Sequence, residues 1–125
     1  CPGDGIGYYR PRREAPIGAI SSHCLAAAGV GNAQAAFELT VEAVRERSTS
    51  YTAARMRDSA VQLRVARAGV QVDAARLICR ADCLEAQRAA EENRLMTMEQ
   101  KLRCRRNVAY AMGLCTEAVD SLHAL

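Results

Sequence analysis

Apolar positions recur along most of this chain at the three-to-four-residue spacing of a helix. A helix is expected from about residue 17 to Arg47, and its first half is unusually small-sided: Ser21, Ser22, Ala26, Ala27, Ala28, Gly29, Gly31 and Ala33. Pro16 suits the first turn, where its missing N–H costs nothing, and Ser48-Thr49-Ser50 ends the run. The glycines inside this segment (Gly18, Gly29, Gly31) each cost a helix about 1 kcal/mol relative to alanine. A close approach by a neighbouring helix or a ligand is the expected compensation.

A second helix is expected over about 58–92, capped by Asp58 or Ser59, with Ser59 and Gln62 spaced as a capping box. It carries two apolar stripes. One is Val61, Val65, Ala68, Val72, Ala75, Cys79 and Ala86; the other is Leu63, Ala66, Val70, Ala74, Leu77, Ala81 and Leu84. A helix apolar on two faces is packed on two sides, so this one belongs at the centre of an assembly. A third helix is expected over about 98–124, opened by a second capping box at Thr97 and Gln100. Its expected core face is Leu102, Ala109, Met112, Thr116 and Val119, with Val108, Cys115 and Leu122 beside it.

A helix over 58–92 is about 50 Å long, whereas a compact chain of this size is roughly 35 Å across. The expected fold is therefore all-α: long antiparallel helices forming an incomplete up-down four-helix bundle. Residues 1–15 read as an irregular lead-in and 16–125 as the helical domain, a piece of a larger subunit. The missing initiator Met and the lack of a C-cap at Leu125 point the same way, and a fourth helix from this protein or a partner is expected.

Composition narrows the class further. Alanine is abundant, Trp is absent and aromatics make up only 4% of the residues, which leaves too few strand formers for a β-sandwich or barrel. The net charge of +3 is a weak hint of nucleic acid at most. No apolar run is long enough to span a membrane, and no signal peptide is visible, so the expected location is cytoplasmic. Of the six cysteines (positions 1, 24, 79, 83, 104 and 115) five fall in helical segments, where a reduced cysteine acts as a small hydrophobe.

Three segments carry a resemblance. They are AAAGVGNAQAAFELTVEAVRER (26–47), SYTAARMRDSAVQLRVARAGVQVDAARLI (50–78) and KLRCRRNVAYAMGLCTEAVDSLHAL (101–125). From Gly18 to Leu125 the chain resembles the C-terminal helical domain of the acyl-CoA dehydrogenase fold. It looks closest to the two-component flavin-dependent monooxygenases on that fold, the oxygenases related to p-hydroxyphenylacetate and secosteroid hydroxylases. That resemblance implies a homotetramer with the helical domains at its centre, a separate reductase supplying reduced FMN (FAD in some branches), and hydroxylation of an aromatic or polyketide-like substrate. The dehydrogenase branch carries an R-x-x-F-G connector whose Arg reaches the flavin phosphate. Here Arg55 holds the Arg place but Asp58 stands where Phe would be, which favours the monooxygenase branch over a dehydrogenase. The catalytic His of some members falls beyond Leu125, so no catalytic residue is assigned and the chain alone is expected to be inactive.

Individual residues add less. Arg55 and Arg57 precede a helix start, where free N–H groups and the dipole favour an anion such as flavin phosphate. Ser59 and Gln62 join Arg55 as cofactor-binding candidates, with capping as their simpler role. Cys79 and Cys83 are spaced i,i+4, and Cys104, His23 or His123 would have to complete a metal site; without a second paired motif, no metal is expected. His23 faces either a substrate cleft or, more simply, a satisfied structural role. Lys101, Arg103, Arg105 and Arg106 open the third helix, and pairing with Glu91 and Glu92 across an interface is favoured over nucleic acid because no aromatic residue interleaves them. Arg10, Arg12 and Arg13, and the alternating Gly3, Gly5 and Gly7, read as loop. The competing class is a self-standing helical interaction module without flavin, its open seam filled by dimerisation.

Overall fold

The structure is a computed structural model that describes residues 17–47 and 59–125. The described residues form three helices: α1 (Ile17–Arg47), α2 (Ser59–Glu91) and α3 (Met98–His123). Each packs against both others. Pairs run from Gln71–Glu117 to Glu85–Gln100 between α2 and α3, and from His23–Asp82 to Gln34–Arg76 between α1 and α2, so successive helices are antiparallel. The expected all-α, up-down arrangement of long helices is the one the chain adopts. The lead-in, Pro16, the 51–57 connector with Arg55 and Arg57, and Asp58 lie outside the described residues.

The turn between α2 and α3 follows from local chemistry. Asn93 adopts φ 52°, a left-handed conformation that asparagine tolerates better than most residues. The Asn93 N–H donates to the Ala90 carbonyl (3.1 Å) and the Arg94 N–H to the Ala89 carbonyl (3.0 Å), the paired bonds of a Schellman ending. At the start of α3 the Thr97 hydroxyl accepts from the Gln100 N–H, and the Gln100 side chain accepts from the Thr97 N–H at 2.8 Å. The expected capping box is therefore formed. The opening of α2 differs: Ser59 is already its first helical residue rather than its cap. At the far end Ala124 closes α3, its N–H directed at the Asp120 and Leu122 carbonyls.

The core is built mainly from small side chains. Ala33, Ala68, Val72, Ala75, Ala111, Cys115, Ala118 and Leu122 form one cluster, with Phe37, Val65 and Met112 packed against it. Ala86, Ala89, Met96 and Cys104 form a second, with Ile20 beside it. Alanine at the contact keeps the packing close, and Gly29 makes room for a side chain of α3: a Cβ there would sit 2.7 Å from Met112 Sδ. Gly18 and Gly31 differ, since an added Cβ would meet nothing within 4 Å at either.

Two expectations about faces are corrected. On α3 the buried residues are Cys104, Ala111, Cys115, Ala118 and Leu122, while Leu102, Ala109 and Thr116 are exposed and Met112 and Val119 only half-buried. The core stripe is rotated because close packing selects the small residues. On α2 the first stripe is the core, with Ala68, Val72, Ala75 and Ala86 buried. The second stripe faces away from both neighbouring helices: Leu63 is 70% exposed, Val70 68%, Leu77 63% and Leu84 41%.

Candidate functional site

Between the two apolar clusters lies one polar layer, with one residue from each helix. His23 sits on α1 between Ile20 and Val30, Asp82 on α2 between Ala75 and Ala86, and Asn107 on α3 between Cys104 and Ala111. His23 is 5% exposed and Asp82 3%. The Asn107 amide donates to Asp82 Oδ1 at 2.8 Å, and His23 Nε2 lies 3.0 Å from Asp82 Oδ2. A carboxylate only accepts, so Nε2 carries the proton in this pair. The other ring nitrogen, Nδ1, is buried without a hydrogen-bond partner. His23 is thus half-satisfied, where the sequence led us to expect a fully satisfied structural histidine. Asp82 and Asn107 were not singled out from the sequence. The available signal was Asp82 itself, which occupies a core position of the 75–79–82–86 stripe, where an unpartnered carboxylate would be costly.

His23 also lines a groove of about 480 Å³ between α1 and α2. Its α1 wall is built from Ala27, Val30 and Gly31, and its α2 wall from Arg76, Cys79, Arg80 and Cys83. One end is closed by a relay in which Arg76 donates to Gln34 and Gln34 donates to Glu38, each at 2.6 Å. The volume lies within the range of small-molecule sites.

The cysteines divide. Cys104 and Cys115 are buried, as expected of small hydrophobes, but Cys24 and Cys83 are exposed and Cys79 is intermediate. Burial raises the Cys79 and Cys83 thiols, with the Asp82 charge adding to it, so both are neutral near pH 7. Among the described residues no group of three or more His, Cys, Asp or Glu side chains is placed to hold a metal ion. Cys79 and Cys83 therefore gain no third ligand from Cys104, His23 or His123.

Of the cationic opening of α3, Arg103 pairs with Glu85 of α2 at the surface of the bundle, and Glu92 pairs with Arg94. The Arg103 hydrogen bond holds the Glu85 carboxyl below the usual carboxylate range, aided by the Gln100 side chain.

Of the cofactor-binding candidates, Arg55 lies outside the described residues. Ser59 and Gln62 stand in the first turn of α2, both exposed, with no acidic residue in that turn. The Ser59 hydroxyl and the positive helix end suit an anionic group such as a phosphate. No described helix is long and apolar enough to cross a membrane.

The described residues thus form three long antiparallel helices around an alanine-rich core, with a second apolar stripe of α2 left exposed. Residues 23–125 match the family model described as "Acyl-CoA dehydrogenase, C-terminal domain". The chain belongs to that family. No curated protein and no solved structure matches it.

Proposed function

We propose that this chain is the flavin-contacting and subunit-assembling helical domain of an FMNH2-dependent monooxygenase that hydroxylates an aromatic or polyketide-like substrate. The observation that carries the assembling role is the outer face of α2, where Leu63, Val70, Leu77 and Leu84 recur every seven residues and face away from α1 and α3. A contiguous apolar stripe of that length marks an interaction surface. A homotetramer with these faces at its centre covers it.

Family membership supports a flavin enzyme in general. The positive end of α2 supports a flavin phosphate there, with Ser59, Gln62 and Arg55 as the residues that would hold it. When bound, the reduced flavin supplies oxygen activation, while this domain binds, orients and shields. Asp58 in place of the dehydrogenase branch's aromatic residue favours the monooxygenase over an acyl-CoA dehydrogenase. A separate flavin reductase and a cytoplasmic location belong to the same reading.

An anaerobic fluorescence titration with FMN and FAD, each oxidised and dithionite-reduced, tests it. Preference for reduced FMN, lost in Arg55→Ala, supports the proposal. Tight binding of oxidised FAD favours the dehydrogenase. Binding of no flavin by a tidy dimer favours a helical interaction module.

A further inference from the structure

The groove between α1 and α2 has features that neither core packing nor the flavin reading uses. On α1, Ala27, Gly31 and Ala35 recur at four-residue spacing and leave a trough along one side of the helix. At Gly31 the space is open, since an added Cβ would meet nothing within 4 Å. Glycine in mid-helix lowers stability, and among the described residues no helix approaches here to explain it.

The charges of the groove are unequal. Arg76 and Glu38 are both committed to Gln34 at one end. Arg80 stands midway along the opposite wall and has no ion-pair partner among the described residues. Asp82 is enclosed by His23 and Asn107, and the Cys79 and Cys83 thiols are neutral. The groove therefore presents one uncommitted cation beside an apolar trough. At its other end stands His23, whose Nδ1 is the one buried side-chain nitrogen or oxygen without a partner among the described residues.

We propose that this groove binds a small organic carboxylate, its headgroup on Arg80 and its apolar body along Ala27, Gly31 and Val30 toward His23. A guanidinium pairs with a carboxylate through two parallel hydrogen bonds, so the headgroup gives orientation as well as affinity. The apolar body displaces water from the trough, and a polar atom at its far end supplies the partner that His23 Nδ1 lacks. The proposal rests on these groove residues alone, so flavin binding and groove binding can fail independently.

The test is an NMR titration of the 125-residue chain with 6-hydroxyhexanoate and 4-hydroxycyclohexanecarboxylate, whose hydroxyls can donate to His23 Nδ1, each compared with its neutral amide. With only two histidines in the chain, the His23 ring signals are readily assigned. The expected result is that at least one acid shifts the amides of Gly31, Cys79 and Arg80 together with the His23 ring, and that its amide binds at least tenfold more weakly. Arg80→Gln should lose at least tenfold and Arg80→Lys less. Gly31→Leu should abolish binding without lowering the melting temperature, because it fills open space and removes a helix glycine. The proposal is overturned if no acid shifts these signals, if an acid and its amide bind alike, or if Gly31→Leu binds as the unaltered chain does.

Discussion

His23 and Asp82 are separated by 59 residues in sequence and meet at 3.0 Å in the interior, where Asn107 fixes the second carboxylate oxygen. This layer ties all three helices together at one height and so sets their register. Removing one member of a buried pair strands the others. Asp82→Ala should lower unfolding stability by about 3 kcal/mol, read from urea melts. His23→Ala should cost a similar amount, and the double substitution much less than the two combined. Additive losses would mean that the pair is not coupled.

Two helical glycines should respond oppositely to alanine. At Gly31 the methyl enters open space, so Gly31→Ala should gain about 0.5–1 kcal/mol. At Gly69 the methyl would sit 3.0 Å from Phe37 Cζ and 3.1 Å from Cε2, and the rigid ring must move. Gly69→Ala should therefore gain less than Gly31→Ala, or lose stability. Thermal melts of the two variants side by side decide this.

Glu85 supplies a pH dependence whose sign is fixed. Its carboxyl is lowered in the folded state, first by the Arg103 hydrogen bond. Its contribution is therefore fully present above the ordinary carboxylate range and is lost as pH falls through the folded-state value. Glu85→Gln should remove part of the acid-side decline in the urea midpoint between about pH 5 and 3 and leave that decline otherwise intact. An unchanged decline would show that the pair with Arg103 adds nothing.

The difference between what could be read from the sequence and what could not follows from side-chain size. Periodicity finds both apolar stripes of α2, but cannot say that only the one through Val72 is covered by α1 and α3. Thr97 and Gln100 act within one turn, so their box is visible without any tertiary knowledge. On α3 two faces compete, and choosing by bulk selects Leu102 where close packing selects Cys104, Ala111 and Ala118. The His23–Asp82–Asn107 layer draws on three distant segments, and only Asp82 interrupting an apolar stripe announces it. The groove is less visible still, because it is defined by side chains that are small or absent.

The proposed assembly surface on the outer face of α2 is tested by sedimentation of the unaltered chain beside a Val70→Glu/Leu77→Glu double variant. Both substitutions fall on side chains exposed in the single subunit, so they spare the three-helix core. The unaltered chain should sediment as an oligomer and the variant as a monomer of unchanged helical circular dichroism. A monodisperse monomer of the unaltered chain, or an oligomer that survives both charges, would contradict it.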